Sequence, residues 1–348
     1  MPFAFASDLH LVAAALALGL AIIVLLSPST RRTMDPVAVI PASETSETPH
    51  EPSIADVLVV KAMLTRALAL PVEIVDAIAD LAEYWPHSTV HASFQRTVAS
   101  HRSENVFLLR APPLGLRGWD RVSHESGNTP ITRTPLAPEP LFEGYAPDEI
   151  KDLIASPIPM LAQPCRRIVF TIRSHDQGWG GAPPDQGTYN GSWTWFEAGL
   201  ERWCKLGPAQ PSTTAAELQS QQPQHPSFHF DSLRTVLPEV KWNPDRSAYA
   251  LVHELQPRPD LNVQCNQTAE GNTREHRVVW SYNDDINPDR DTEAAARLAQ
   301  EGRGTATGNG KFVRDLKLGD VVTLWAKARF PGWSNHVESV KIDVYYVV

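Results

Sequence analysis

The chain has 348 residues and a formal net charge of −9 at pH 7, from 31 basic and 40 acidic side chains. Binding to a nucleic-acid backbone requires a concentrated Lys and Arg surface, so this composition argues against a nucleic-acid partner. Thirty prolines predict that long stretches of the chain are irregular or linking segments.

An apolar segment near the N-terminus, residues 11–26, has no charged or hydrogen-bonding side chain. As a helix it would cover about 24 Å of a hydrocarbon core that is about 30 Å thick. Because Arg31 and Arg32 follow it, the positive-inside rule favours a single-pass membrane anchor over residues 1–32, with the C-terminal domain in the cytosol. A cleaved signal peptide is the competing interpretation. If Met34 is the natural start, the protein is cytosolic and has no anchor.

Residues 33–52 are rich in Pro, Ser, Thr and Glu, which predicts a disordered linker. Residues 53–100 are predicted as a short helical segment, because apolar side chains recur at helical spacing on both sides of Pro71. The expected apolar faces are Val57, Val60, Leu64, Ala67 and Leu68 in the first helix and Ile74, Ala77, Ile78, Leu81 and Ala82 in the second.

The second of these helices opens with LPVEIVDAI, residues 70–78, which resembles the start of an F-box. The resemblance covers residues 70–85 and implies that the helices dock on a Skp1-type adaptor of a ubiquitin ligase. The matching positions, and therefore the implied adaptor-binding residues, are Leu70, Pro71, Glu73, Ile74 and Ile78. The alternative is an ordinary helix start, since a proline at the first turn and an acidic residue within it are common devices.

Residues 101–160 are predicted as a Pro-rich irregular connection, and residues 161–348 as a mainly β domain. Eight of the ten tryptophans lie between Trp179 and Trp333, and aromatic and β-branched residues alternate with polar ones there. This pattern predicts an antiparallel, jelly-roll-like β-sandwich in which one face of each strand is buried. Strands are expected around residues 167–173, 247–255, 276–282, 320–330 and 340–348.

The same C-terminal region also resembles a known family. The combination of SHDQGW at residues 174–179, GSWTWF at 191–196 and PGW at 331–333 resembles a family of fungal proteins of unknown function. In some members of that family this domain follows an F-box-like segment. The layout is also similar to that of F-box proteins whose β-sandwich captures a substrate, including glycan-binding ones.

Candidate ligand-binding residues lie in the predicted loops of this domain. Trp179 and Trp333 stand beside glycines, where an indole can be exposed and can stack on a sugar or fill a pocket of a protein partner. His175, Asp176 and His336 are the polar candidates near them in sequence. Trp193 and Trp195 share a strand face and are expected in the core. No nucleophile elbow or HExxH motif is present, so no catalytic residue and no cofactor are predicted.

Residues 283–291 form an acidic stretch in which Asp285, Asn287, Asp289 and Asp291 have the spacing of the first half of a calcium loop. Arg290 and Ala296 stand where such a loop requires Gly and Glu. We therefore favour a solvated turn that caps a helix over residues 292–301. The three cysteines, Cys165, Cys204 and Cys265, are expected to be reduced, buried thiols.

Three hypotheses follow. The first, which we favour, is a recognition protein whose β-sandwich binds a protein partner while the F-box-like helices bind an adaptor, tethered to a membrane. The second is a glycan-binding membrane protein of the secretory pathway, in which Asn190 and Asn266 would accept glycans. The third is a hydrolase or metal enzyme that uses His175, Asp176 and the acidic stretch in one cleft.

Overall fold

The computed structural model describes residues 51–101, 103–116, 135, 161–204 and 232–348. The predicted N-terminal anchor, nearly all of the linker and most of the Pro-rich connection lie outside these residues, so those predictions stay predictions. Among the described residues, no helix has both the length and the apolar character that a membrane span requires.

The described residues divide into two compact units: Val59–Tyr84, and residues 52–58 together with Trp85–Val348. The first unit is helical. It contains most of helix α1, Ile54–Ala67, and all of helix α2, Val72–Leu81. An ion pair of 2.8 Å between Lys61 Nζ and Asp76 Oδ1 joins the two helices.

The helices exist as predicted, but the prediction of their buried faces is wrong. In α2, Val75 and Ala79 are buried, whereas Ile74 is 40% exposed and Leu81 is 76% exposed. In α1, Val57 is buried, Val60 and Leu64 are half-buried, and Ala67 and Leu68 are exposed. The cause is that 10 of the 14 residues of α1 and 7 of the 10 residues of α2 are apolar, so the spacing alone is compatible with more than one inward face.

The second unit, which we call the β domain, is built on two antiparallel sheets. The first sheet has the strand order β1-β11-β3-β9. Its strands are β1 His87–Ala99, β3 Cys165–His175, β9 Arg274–Ser281 and β11 Ser334–Tyr346. Strand β11 is therefore central and pairs with β1 on one side and with β3 on the other.

The second sheet has the order β2-β10-β4-β5, and β8 also pairs with β4. Its strands are β2 Asn105–Arg110, β4 Thr194–Cys204, β5 Ser232–Leu237, β8 Asn262–Cys265 and β10 Val321–Ala328. A separate hairpin is formed by β6 Glu239–Asn243 and β7 Ala248–Val252. The described helices of this unit are α3 Thr292–Gln300, close to the helix predicted there, and the short α4 Lys311–Asp315.

One hydrophobic core contains side chains from both sheets. These side chains lie at the alternating apolar positions that the sequence pattern placed on the buried face of each strand. From the first sheet Ile168, Phe170, Ile172, Val340, Ile342, Val344 and Tyr346 enter this core, and from the second sheet Phe196, Val322, Leu324, Ala326 and Ala328. The prediction of a mainly β, antiparallel domain is confirmed. Phe330, which we expected to continue the face of β10, is instead 41% exposed.

Two strands lie where the sequence predicted other structure. Strand β1 occupies the end of the predicted helical segment, and β2 occupies part of the predicted irregular connection. Strand β1 is rich in Ser, Thr, Val and His, which favour an extended backbone, and it pairs with β11 from His87 to Ala99. The β domain thus includes residues from 85 onward, and its predicted boundary at residue 161 is wrong.

The prediction that each strand buries only one face is also wrong for the second sheet. All eight residues of β10 are buried, and so are all residues of β4 except Arg202. The face of this sheet that points away from the core is therefore covered, and part of the cover comes from residues 237–261. His253 packs on Trp325 with ring centroids 5.1 Å apart, and Arg258 N donates to Glu197 Oε1 at 3.3 Å.

Truncation of a central-strand side chain should test this core. We expect Ile342→Ala to lower the free energy of unfolding by about 3 kcal/mol, because Ile342 is fully buried and the change leaves a cavity. Ser339→Ala, at a half-buried position of the same strand outside the core, should change it by less than about 0.5 kcal/mol. Urea unfolding of the full-length protein measures both. Equal losses would show that β11 does not bury the predicted face.

Candidate functional site

Three loops of the β domain meet where β3, β10 and β8 end. They are residues 176–193, 329–333 and 266–273. Trp193 of the first loop packs on Phe330 of the second, and Trp179 lies against Gly332. We call Trp179, Trp193, Phe330 and Trp333, with the imidazoles of His175 and His336, the end-loop cluster. Four of these six residues, Trp179, Trp333, His175 and His336, were predicted as ligand-binding candidates.

Asp176 ties the first loop to the third. Its Oδ1 accepts a hydrogen bond from Gly178 N, and its Oδ2 accepts one from Ala269 N, each at 2.7 Å. Asp176 is fully buried, and burial raises the pKa of its carboxyl, opposed by these backbone donors. Since both carboxylate oxygens are held by the backbone, Asp176 positions the loops and does not face a ligand, which corrects its predicted role.

Gln177 ties the first loop to the second. Its Nε2 donates to Trp179 O at 2.6 Å, and its Oε1 accepts from Ser334 N at 3.1 Å. The Trp179 ring lies against Gly332, where an added Cβ would come within 3.2 Å of Trp179 Cη2. Gly332 has a φ of 92°, a conformation that side chains rarely adopt. The backbone around Trp179 is thus fixed on two sides.

The aromatic side chains of the cluster are open to solvent to an unusual extent. The indole of Trp179 is 63% exposed, and the ring of Phe330 is 41% exposed. Phe330 has a φ of 64°, the left-handed region that costs a non-glycine residue about 1–3 kcal/mol. It packs edge-on against Trp193 with centroids 4.5 Å apart. Exposed aromatic rings on a strained, hydrogen-bonded turn are typical of a binding site.

His175 and His336 stand opposite each other on β3 and β11, and their rings stack. The centroids are 4.6 Å apart and the ring planes differ by 8°. His175 Nδ1 lies 2.6 Å from Asp176 O, and His336 Nδ1 lies 3.1 Å from Thr97 Oγ1. Burial, and then the neighbouring His175, lower the pKa of His336. His336 therefore favours its neutral ring, which suits hydrogen bonding to a ligand rather than ion pairing.

Beneath the cluster lies a buried network of amides and hydroxyls. Asn266 is 1% exposed; its Oδ1 accepts from Ser174 Oγ at 2.7 Å, and its Nδ2 donates to Asn335 Oδ1 at 3.0 Å. Asn335 in turn donates to the carbonyl of Trp195 at 3.2 Å. The side-chain amide of Asn266 therefore has no room for a glycan in the folded domain, so this predicted glycosylation acceptor is wrong. Asn190, the other, is exposed.

The remaining predicted sites lie elsewhere in the chain. The side-chain oxygens of the acidic stretch accept hydrogen bonds from the backbone of the same turn. Asn287 Oδ1 accepts from Asp289 N, and Asp291 Oδ2 accepts from Asn287 N, both at 3.0 Å. Asp285 is exposed. Among the described residues no group of three or more His, Cys, Asp or Glu side chains could hold a metal ion.

All three cysteines are buried, as predicted, and Cys165 and Cys265 are free thiols. Burial raises the pKa of Cys165 to about 12 and that of Cys265 to about 11. Of the F-box-like residues, Pro71 immediately precedes α2, Glu73 lies in its first turn, and Leu70 and Ile78 are half-buried.

A second group of polar residues was not found from the sequence. The side chains of the second sheet that point away from the core form a buried charged layer: Arg110, Glu197, Glu201, Thr323, Trp325 and Lys327. We call this the outer layer. Arg110 donates to both carboxylate oxygens of Glu201, at 2.5 and 2.6 Å, and Lys327 forms an ion pair with Glu197. All six residues are at most 4% exposed.

The Trp195 ring packs next to one of these ion pairs. Trp195 Nε1 donates to Glu197 Oε1 at 3.3 Å, and the guanidinium of Arg329 lies 5.1 Å from the centre of the Trp195 ring. Burial lowers the pKa of Lys327, and Glu197 opposes that shift. The sequence signal was present as the period-two spacing of Trp195, Glu197 and Glu201. Trp195 was expected in the core, and that prediction is wrong, because its side chain lies with Glu197 on the opposite face of the sheet.

No family model matches this chain, and no curated protein matches it.

The Arg110–Glu201 pair allows a test of the outer layer. We expect Glu201→Leu to lower the free energy of unfolding by about 3–5 kcal/mol, because it removes the carboxylate that accepts two hydrogen bonds from the buried Arg110 guanidinium. Arg110→Met combined with Glu201→Leu should recover most of that loss. Glu293→Leu, which removes an exposed ion pair on α3, should cost less than about 0.5 kcal/mol. Chemical unfolding measures all three; a double variant as unstable as the single one would contradict the buried pair.

His253 should make the stability of the β domain depend on pH. Burial, and then Lys327 and Arg329, lower its pKa from 6.5 to about 3. Below pH 6.5 the unfolded chain binds a proton that the folded chain does not, so stability falls as the pH drops from 6.5 towards about 3. In His253→Gln the unfolding free energy should depend less steeply on pH, and the difference in slope should correspond to at most one bound proton. Unfolding free energies measured over that pH range test this, and identical slopes in parent and variant would refute it.

Proposed function

We propose that this protein is a non-enzymatic recognition protein: its β domain, interpreted as a jelly-roll-like sandwich, binds a protein partner, and its F-box-like helices bind a Skp1-type adaptor. The observation that carries the proposal is the indole of Trp179, which is 63% exposed on a loop whose backbone is held by Gln177 and Asp176.

The end-loop cluster has the chemistry of a protein-binding hot spot. Large aromatic side chains that are rigidly placed and open to solvent bury much apolar area when a partner covers them, and little conformational entropy is lost. Trp179 and Phe330 supply such rings. The stacked imidazoles of His175 and His336 supply hydrogen-bonding groups beside them. The carboxylate of Asp176 is held by two backbone donors, which favours recognition over catalysis at this cluster.

The helical unit supports the adaptor part of the proposal. Four apolar side chains of this unit are between 40% and 76% exposed: Val59, Met63, Ile74 and Leu81. Exposed apolar side chains of this kind mark a surface that a protein partner can cover. Ile74 belongs to the F-box-like sequence, and Glu73, Asp76 and Asp80 on the same helix add acidic charge. A partner with an apolar groove and basic margins would complement this surface.

In this proposal residues 1–32 tether the protein to a membrane, and the β domain lies in the cytosol. The buried free thiols of Cys165 and Cys265 are compatible with a reducing compartment. The burial of Asn266 removes one of the two glycosylation acceptors on which the secretory-pathway alternative relied.

Co-purification of the full-length protein with a Skp1-type adaptor tests the helical unit, and capture of partners by the β domain in the same experiment tests the end-loop cluster. We expect Ile74→Asp to reduce adaptor binding more than about tenfold, because a charge would replace an exposed apolar contact, while Trp179→Ala leaves it unchanged. Trp179→Ala should instead abolish capture of the partners that the β domain binds. Leu255→Asp and Trp242→Ala are matched controls, because these residues are also exposed but lie outside both surfaces. An adaptor that fails to bind the parent, or binds Ile74→Asp equally well, would refute the adaptor half.

A further inference from the structure

One edge of the first sheet is open along part of β1. The carbonyl of Pro86 accepts a hydrogen bond from Tyr346 N at 3.1 Å, so every second residue from Pro86 onward points its backbone groups at β11. The backbone groups of Thr89, His91 and Ser93 therefore point away from β11. All three residues are exposed, and these outward N–H and C=O groups bond to no residue that the structure describes.

Two other edge strands are capped by side chains of the same chain. On β9, the opposite edge of the first sheet, the carbonyl of Val279 accepts a hydrogen bond from Arg303 Nη2 at 3.2 Å. On β2, an edge of the second sheet, the carbonyl of Phe107 accepts from Arg96 Nη1 at 3.4 Å. Proteins protect edges because an open row of backbone groups pairs readily with another strand. The β1 edge has no such cap among the described residues.

The composition of this β1 segment favours pairing with another strand. Residues 87–93, HSTVHAS, contain no proline, lysine or acidic residue, which are the common means of blunting an edge. The register irregularity of β1 begins only after Ser93. On the inner face Ala92 and Phe94 pack against the hydrophobic core but are only partly buried. An added strand would therefore gain backbone hydrogen bonds and would also cover apolar side chains at the margin of the core.

The segment is complementary to itself. When two copies pair antiparallel about His91, His91 faces His91 of the second copy and Thr89 faces its Ser93. Facing residues of this type exchange both hydrogen bonds, so every outward N–H and C=O of the three residues finds a partner. On the inner face Val90 lies opposite Ala92 of the second copy, which places apolar side chains together. Short hydroxyl side chains and two imidazoles meet on the outer face.

We propose that this protein forms a two-fold symmetric dimer in which β1 of one chain pairs with β1 of a second copy, so that the two first sheets become one continuous sheet. Both chains use residues 87–93, so pairing uses up the open edge and association stops at two chains. The interface is small, and we expect a dissociation constant on the order of micromolar. The surface lies outside the end-loop cluster, and the inference does not depend on the proposed function.

Sedimentation velocity of the full-length protein in a density-matched detergent, from about 1 to about 100 μM, tests the dimer. The particle should grow reversibly from one chain to two and no further. His91→Lys should raise the dissociation constant about fivefold, because two like charges then face each other at the two-fold axis. His91→Pro should raise it more than about tenfold, because the outward N–H is lost while the hydrogen bonds to β11 remain. Equal unfolding temperatures of the monomers show that both variants fold.

Disulfide cross-linking of His91→Cys locates the interface. Facing Cα atoms in such a pair are about 5.5 Å apart, a distance that a disulfide spans. Copper phenanthroline in air, which oxidises two thiols to a disulfide, should therefore convert the variant into a covalent dimer. Arg277→Cys is the matched control, because Arg277 is exposed on the other edge strand, β9, and should give no dimer. The native cysteines are buried, so the parent should not cross-link.

Three outcomes would overturn the proposal. The first is a parent protein that remains one chain at every concentration, which would leave the β1 edge to a strand of a different protein. The second is a His91→Pro variant that dimerises as strongly as the parent, which would assign the association to another surface. The third is cross-linking of Arg277→Cys as efficient as that of His91→Cys.

Discussion

The pairing of β4 with β10 is the interaction on which both the end-loop cluster and the outer layer depend. Its register places Phe196 and Leu200 beside Ala326 and Val322 in the core, and Glu197 and Glu201 beside Trp325 and Val321 on the opposite face. A slip by one residue would exchange these faces and bring two carboxylates and a lysine into the hydrophobic core. The same register ends at Thr194 and Ala328, so Trp193 and Phe330 emerge side by side.

The end-loop cluster and the outer layer differ in which of their groups are buried. In the end-loop cluster, buried polar groups such as Asp176 and Asn266 hold the backbone, and the aromatic rings above them remain open to solvent. In the outer layer the aromatic rings are buried, and the carboxylates form ion pairs with Arg110 and Lys327. Ion pairs so far from water are costly compared with apolar packing, and such groups are retained where they fix a unique arrangement.

The sequence predicted the fold class because the alternation in β3, β10 and β11 is strong and because their core faces are almost wholly apolar. It also predicted that Trp179, Trp333, His175 and His336 belong to one region, since glycines and short loops flank them. It could not predict β1, whose many polar residues give no clear face and which is a strand because β11 offers it an edge. Nor could it predict the outer layer, because alternation cannot show whether the polar face of a strand meets water or another segment of the chain.

The partner of β1 lies at the far end of the sequence. Thr89 Oγ1 donates to Asp343 Oδ1 across 254 residues, and β2 likewise pairs with β10. Neither sheet can be completed until residues 321–346 have been synthesised, so the early strands cannot be paired in the order in which they are made. Such distant pairings fold slowly, and until β10 and β11 arrive they leave β1 and β2 unpaired and one edge of β3 and of β4 open. During that interval the tryptophan-bearing strand β4 is a segment at which the unfinished chain can aggregate.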